Sequence, residues 1–223
     1  MMIAVEGLQA ANGLQTLTAQ DEAGERIELR QLRHLTRNAL QRLIFQVASC
    51  PGLTDSPAGQ ALAADLETRI RLTADISDAL FGLTRAPESL QERLASLSGS
   101  IVRLLAHAGQ AIETEVVVRG TCPRGLHDGV VRIVHELVGN AVKHGMWQRA
   151  SGHILVQVRA DTHATLVIVS DDGWGMVDRA PPGDGLSIVS VLAADFGGTA
   201  RLQRADGWTI ASAELPHGLV TER

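Results

Sequence analysis

The chain has 223 residues and a formal net charge of −5, from 20 Lys and Arg against 25 Asp and Glu. A mildly acidic chain is a poor candidate for phosphate-backbone binding, which argues against nucleic acid as its main partner. No apolar run approaches the ~18 residues of a membrane span, and the N-terminus lacks the features of a signal peptide. Cys50 and Cys122 have no close Cys or His neighbours in the sequence. This pattern predicts a cytoplasmic chain with reduced thiols, without membrane, disulfide or zinc.

Two long helices are predicted in the first half of the chain. Apolar residues recur at spacings of three and four over residues 26–49 and again over 58–84. The residues between them, 49–57, have the Pro, Gly and Asp content of a loop. Such a pair forms an antiparallel hairpin, whose narrow apolar stripe needs a further surface to cover it. We therefore expect residues 1–86 to form a dimerisation domain, in which two hairpins of a homodimer make a four-helix bundle.

A second domain, residues 87–223, is predicted beyond Ala86-Pro87-Glu88. Its predicted helices span residues 88–108, 127–144 and 186–196. Its predicted strands span residues 115–118, 154–159, 164–170, 199–203 and 209–214. Helices on one side of a mixed sheet make an α/β sandwich, so the whole chain is assigned to the α+β class.

The helix predicted over residues 127–144 carries three polar side chains on one face. Glu136, Asn140 and Lys143 follow each other at spacings of four and three residues. A carboxylate, a carboxamide and a cation suit a magnesium triphosphate, because oxygen ligands bind a hard cation and positive charge binds phosphate. The alternative interpretation of this face is a solvated helix surface.

A glycine-rich turn, Asp171-Asp-Gly-Trp-Gly175, follows the predicted strand 164–170 directly. A carboxylate at the end of a strand can accept hydrogen bonds. The glycines allow the backbone to approach a flat ligand closely. Such a turn is more often structural than functional when it occurs alone.

A second glycine-rich segment, Gly183-Asp-Gly-Leu-Ser-Ile-Val189, precedes a predicted helix. It places free backbone N–H groups at the helix N-terminus, where an anion can bind. This segment alone is an ordinary loop more often than a binding site. The order of all three segments along the chain is what indicates a nucleotide site. Only Met176 to Pro182 separate the two glycine-rich segments, so any lid over the nucleotide is expected to be short.

The three segments resemble the N, G1 and G2 boxes of the ATP-binding fold shared by histidine kinases and gyrase-type ATPases, the GHKL fold. The resemblance covers about residues 88–215, and Phe196-Gly-Gly-Thr199 resembles the segment that ends the family's site. It implies ATP and Mg²⁺ as cofactors. By this resemblance Asn140 would hold Mg²⁺ with support from Glu136, and Lys143 and His144 would approach the phosphates.

The same resemblance implies how the rest of the nucleotide would be bound. Asp171 would accept a hydrogen bond from the adenine amino group, and Thr199 would complete the adenine contacts. The glycine-rich segments would line the base and hold the phosphate end through Gly173, Gly175, Gly183, Gly185 and Leu186.

His34, on the first predicted helix, is the candidate phosphoacceptor. At ~100° per residue it points away from the apolar stripe, into a patch of arginines and amides. A neutral imidazole can attack the γ-phosphate in line while Mg²⁺ offsets the phosphate charge. The alternative is an exposed histidine without a function, which is the commoner case for a single histidine on a helix.

The segment around His34 is also similar to the phosphoacceptor box of the histidine kinases that read His-Arg-x-x-Asn-x-Leu-Gln. His34, Asn38, Leu40 and Gln41 match this box, whereas Leu35 replaces its arginine. By this resemblance Asn38 would position water for a phosphatase reaction.

These features predict the core of a two-component histidine kinase. It would autophosphorylate His34 from Mg-ATP and pass the phosphoryl group to an Asp of a response-regulator receiver domain, with a separate protein as a possible sensor. One alternative is a histidine phosphotransfer protein that keeps the ATP fold without turning ATP over. Another is an anti-sigma-type serine kinase that sequesters its partner.

Overall fold

The computed structural model describes residues 35–36, 38–81, 89–174 and 184–219. Several predicted site residues lie outside these ranges, namely His34, Gly175, Gly183 and the short lid, and so does the side chain of Leu186. The chain divides into two compact units between Ile70 and Arg71. The domain boundary at residues 86 and 87 therefore stays a prediction.

The first unit is helical where it is described. Helix α1 covers residues 38–48, α2 covers Pro51–Thr54, and α3 starts at Pro57 and runs to Phe81, beyond the end of this unit. The segment predicted as a plain loop thus contains one helical turn. Pro51 explains it, because the fixed φ of proline suits the first position of a helix. Within the described residues, no helix is long and apolar enough to cross a membrane.

The second unit contains a mixed five-stranded sheet. Its strands are β1 (Ala111–Arg119), β2 (Ser151–Ala160), β3 (Ala164–Asp171), β4 (Thr199–Ala205) and β5 (Trp208–Pro216). Their order across the sheet is β1-β2-β3-β5-β4. Only the β1–β2 pair is parallel, and the three other pairs are antiparallel. The predicted mixed sheet is confirmed.

Three helices pack on this sheet: α4 (Leu90–Leu105), α5 (His127–Asn140) and α6 (Asp184–Ala194). Helix α4 contacts β1, α5 contacts β2 and β3, and α6 contacts β4 and β5. Alternate residues of β2 and β3 are buried, as expected for strands covered on one face. The shared core is aliphatic and includes Leu94, Leu97, Ile101, Val130, Ile133, Val134, Val156, Val167, Val169 and Leu215.

Local sequence explains where α4 starts and how α5 comes close to the end of α6. Helix α4 begins at a capping box, in which the Ser89 hydroxyl accepts from the Glu92 N–H and the Glu92 carboxylate accepts from the Ser89 N–H. Helix α5 meets the end of α6 at a glycine. A Cβ atom on Gly129 would lie 2.5 Å from Cε2 of Phe196, so this contact requires a residue without a side chain.

Candidate functional site

The C-terminal end of α5 carries the first part of the candidate site. Glu136 and Asn140 lie one turn apart and are both half-buried, so their oxygen atoms share one side of the helix. The Glu136 Oε1 atom lies 3.1 Å from Nδ1 of His135. One carboxylate and one carboxamide fit Mg²⁺, which keeps several water ligands and also binds phosphate oxygens. Among the described residues, no group of three or more His, Cys, Asp or Glu side chains could hold a metal by itself.

The sequence predicted one helix as far as His144, but the α-helix ends at Asn140. A wider turn, Ala141–Gly145, follows Asn140, and the N–H of Met146 donates to the carbonyl of Ala141 over 2.9 Å. Lys143 and His144 lie on this turn and are exposed. The turn ends at Gly145, which lies against the carboxylate of Asp171.

Asp171 ends β3 and is only 6% exposed. The N–H of Gly173 donates to its Oδ1 atom over 3.0 Å. A Cβ atom on Gly145 would lie 2.3 Å from that Oδ1, and one on Gly173 would lie 2.2 Å from the carbonyl oxygen of Gly145. Trp174 closes the arrangement, because its N–H donates to the Gly145 carbonyl over 3.0 Å. Glycine is therefore required on both sides of this carboxylate.

The electrostatic setting of Asp171 is unusual for a carboxylate. Burial raises its pKa from 3.8 to about 6, and the charge of Asp172 acts in the same direction. The hydrogen bond from Gly173 and the charges of Arg204 and Arg149 lower the pKa, without offsetting the burial. A buried carboxyl group whose pKa is raised towards neutral pH is a typical feature of a ligand-binding site.

Thr209 lies directly opposite Asp171 in the pairing of β3 with β5. Opposed residues of an antiparallel pair present their side chains on the same face, with Cβ atoms about 5 Å apart. The Oγ1 atom of Thr209 is buried and has no hydrogen-bond partner among the described residues. Since buried hydroxyls are normally hydrogen-bonded, this atom is available to a ligand or a water molecule.

The sequence predicted Thr199, and not Thr209, for the adenine contacts. Thr199 is exposed and starts β4, opposite Glu214, which itself lies opposite Leu166. Leu166 precedes Asp171 by five residues along β3, a distance of about 16 Å at the usual rise of a strand. The structure therefore does not bring Thr199 beside Asp171. The predicted strands 164–170 and 209–214 could have indicated Thr209 if their antiparallel pairing had been known, since it places the start of one at the end of the other.

Three further predicted site residues lie on α6 and α1. Gly185 lies in the first turn of α6, and Leu186 follows it on the same helix. Asn38 is exposed on α1. The contacts predicted for these residues with phosphate or with a phosphoryl group stay predictions.

Comparison with known proteins finds a family model that matches part of the second unit. Residues 125–219 match the family model described as histidine kinase-, DNA gyrase B- and HSP90-like ATPase. This range contains Glu136, Asn140, Asp171 and Thr209. No curated protein sequence matches the chain.

Two solved structures of one histidine kinase have a similar fold. The histidine kinase domain of the blue-light activated histidine kinase EL346 from Erythrobacter litoralis is 18% identical, with a TM-score of 0.51 over 80% of this chain and 94% of that one. The longer EL346 structure is 18% identical, with a TM-score of 0.52 over 85% of this chain and 60% of that one. The mycobacterial sensor histidine kinase MprB is 24% identical, with a TM-score of 0.43 over 57% of this chain and 93% of that one.

Proposed function

We propose that this chain, whose residues 125–219 form a histidine kinase-like ATPase domain, is the core of a two-component histidine kinase that phosphorylates itself on His34. The observation that carries the proposal is the enclosed carboxylate of Asp171. It is buried between Gly145 and Gly173, and it lies opposite the buried, unpaired hydroxyl of Thr209. The match to an ATPase family model supports ATP as the ligand of this site.

The residues around the site suit the parts of Mg-ATP. The ionised Asp171 accepts a hydrogen bond from the adenine amino group, while Gly173 leaves room for the flat base. Thr209 takes the place beside the base for which the sequence suggested Thr199. The phosphate end belongs to the remaining predicted residues, Glu136, Asn140, Lys143, His144, Gly175, Gly183, Gly185 and Leu186. Mg²⁺ bound at Asn140 and Glu136 would supply charge neutralisation for the phosphates.

The transfer step proposed for His34 is a simple displacement. The imidazole lone pair forms a bond to the γ-phosphorus, the bond from that phosphorus to the bridging oxygen breaks, and ADP leaves. The imidazole proton passes to solvent. An Asp carboxylate of a receiver domain then takes the phosphoryl group from His34. Asn38, four residues after His34 in the sequence, is proposed to position the water that hydrolyses this aspartyl phosphate and releases inorganic phosphate, which is the phosphatase reaction.

Dimerisation through the helical hairpin is part of the proposal. Leu43 and Phe45 on α1 and Leu62 on α3 are large apolar side chains that are exposed in the single chain, with Phe45 at 72%. Several large apolar side chains exposed on one pair of helices indicate a surface that another chain covers. A second copy of the hairpin would supply a matching surface in a four-helix bundle.

Incubation with ATP labelled on the γ-phosphate tests the function. We expect acid-labile, base-stable label on the wild type, none on His34→Gln, and strongly reduced label on Asn140→Ala. Equal label on His34→Gln would show that another residue is the acceptor. Calorimetric titration with Mg-ATP separates the phosphotransfer alternative, for which no binding is expected. Acid-stable label on a partner's serine, with none on His34, would instead support the serine kinase alternative.

A further inference from the structure

We infer that Arg149 is a positioning residue for the nucleotide site: it joins the turn after α5 to the turn after β3 and so fixes the carboxylate of Asp171. The inference rests on the proposed function, because it concerns how Asp171 is held for ATP. Arg149 lies in the segment between Gly145 and β2, which neither the sequence motifs nor the family resemblance single out.

The guanidinium of Arg149 makes several contacts with the turn that follows Asp171. One Nη atom donates to the carbonyl oxygen of Asp172 over 2.7 Å, and the other lies 3.5 Å from the Asp172 carboxylate. The Cζ atom lies 5.5 Å from the ring centre of Trp174, within the range of a cation–π contact. The Nε atom donates to the carbonyl of Ser151 over 3.1 Å. The side chain is thus held at both ends of its planar group.

The backbone of Arg149 is anchored as well. The Gln110 amide donates to the carbonyl oxygens of Arg149 and Met146, each over 2.8 Å. The N–H of Arg149 also donates to the Met146 carbonyl over 3.1 Å. Both the backbone and the side chain of Arg149 are therefore held by hydrogen bonds. Through its bond to the Asp172 carbonyl, Arg149 in turn holds the turn that follows Asp171.

Asp172 completes the link on its other side. Its carboxylate accepts from the N–H of His153 over 2.8 Å, and its own N–H donates to the His153 carbonyl. Asp171 precedes it, and Gly145 and Gly173 lie so close to the Asp171 carboxylate that neither could carry a Cβ atom without a shift. A displacement of the turn by a fraction of an ångström therefore moves the group that is to meet adenine, and such errors reduce binding and catalysis strongly.

Arg149 also acts on Asp171 by its charge. Its cation lowers the pKa of Asp171, as does that of Arg204, whereas burial and the charge of Asp172 raise it. Loss of Arg149 therefore moves the titration of Asp171 to higher pH. A residue with only a structural role would weaken binding without moving this titration.

The experiment compares Mg-ATP affinity in full-length variants by calorimetric titration at about pH 8 and about pH 6. Arg159→Met is the matched control, because it removes the same charge from the far end of β2. There the Arg159 guanidinium donates a hydrogen bond to the side chain of Gln157. We expect Arg149→Met to bind ATP about tenfold more weakly at the higher pH, and Arg159→Met to bind like the wild type. We expect the weakening in Arg149→Met to grow at the lower pH beyond the change seen in the wild type, because more of its Asp171 is protonated.

Arg149→Lys keeps the charge without the fork, so we expect it to restore the pH dependence of the wild type and only part of the affinity. If Arg149→Met does not fold, Arg149→Lys alone tests the inference. A Mg-ATP affinity of Arg149→Lys equal to that of the wild type would then overturn it. Wild-type affinity in Arg149→Met, or a loss that is independent of pH and not relieved in Arg149→Lys, would overturn it too. The proposed function fails differently: Asp171→Asn would then bind Mg-ATP as tightly as the wild type.

Discussion

Gly145 and Asp171 lie so close that a Cβ atom on Gly145 would stand 2.3 Å from Oδ1 of the carboxylate. Gly145→Ala must therefore displace either the carboxylate or the turn that ends α5. We expect this variant to bind Mg-ATP at least about tenfold more weakly and to lose about 1–3 kcal/mol of unfolding free energy, as overpacked sites do. Calorimetric titration and urea denaturation measure the two effects.

Gly99→Ala is the control for that substitution. Gly99 lies inside α4, and a Cβ atom there would meet nothing within 4 Å. Since alanine is a better helix former than glycine, we expect a gain of about 0.5–1 kcal/mol and unchanged ATP affinity. Wild-type ATP affinity in Gly145→Ala would mean that the close approach to Asp171 has no part in nucleotide binding.

The hydroxyl of Thr209 gives a second prediction. Thr209→Val removes a buried hydroxyl that has no partner in the described part of the chain, and it keeps the shape of the side chain. We therefore expect the unfolding free energy to stay within about 1 kcal/mol or to rise. We expect ATP affinity to fall several-fold, because Thr209 lies opposite Asp171 and presents its side chain on the same face of the sheet. Thr199→Val is the paired variant, and we expect it to leave affinity unchanged. The reverse order of the two affinities would restore the role that the sequence suggested for Thr199.

The sequence predicted the parts of this site that depend on local order. Asp171 was proposed because a carboxylate followed by glycines stands at the end of an apolar strand. Glu136 and Asn140 were proposed because a helix places residues four apart on one face. Helical and strand periodicity likewise located the helices and strands of the second unit to within a few residues.

The sequence could not predict what depends on strand register and on contacts between distant segments. Thr209 was missed because its place beside Asp171 follows from the pairing of β3 with β5, and register is a property of two strands. Arg149 was missed because its contacts with Asp172 and Trp174 join segments more than twenty residues apart. The wide turn after Asn140 also escaped prediction, since nothing in the periodicity marks the change of helix type.

The raised pKa of Asp171 predicts a dependence of stability on pH. Its folded value of about 6 exceeds the ordinary 3.8, so between these pH values the folded state binds more protons than the unfolded state. The unfolding free energy therefore falls as pH rises from about 4 to about 6, and the ionised carboxylate destabilises the fold above that range. The size of the displacement sets an upper bound of about 3 kcal/mol on this cost.

Asp171→Asn removes this titration while keeping an oxygen for the N–H of Gly173. We expect it to be more stable than the wild type above about pH 6 and to lose the difference near pH 4, although it loses ATP affinity. Urea denaturation across this pH range measures the gap between the two proteins. A gap that is constant with pH, or that favours the wild type at neutral pH, would contradict the assignment of the raised pKa to Asp171.

The final prediction concerns Arg93, which ties three elements of the second unit together. Its Nε atom donates to the carbonyl of Ala79 over 2.7 Å, and one Nη donates to Leu80 and lies 3.0 Å from the Asp128 carboxylate. The Arg93 side chain is 13% exposed and Asp128 is 72% exposed, so the carbonyl bonds at the end of α3 should outweigh the ion pair. We expect Arg93→Met to cost about 2 kcal/mol of unfolding free energy, because it removes the side-chain donor to the carbonyls of Ala79 and Leu80. Asp128→Asn should cost less than about 0.5 kcal/mol. The same holds for Arg103→Met, because this arginine is exposed and its hydrogen bond goes to the carbonyl of Gly99 within α4. Urea denaturation ranks the three variants, and an equal cost for Arg93→Met and Asp128→Asn would show that the ion pair is the stabilising contact.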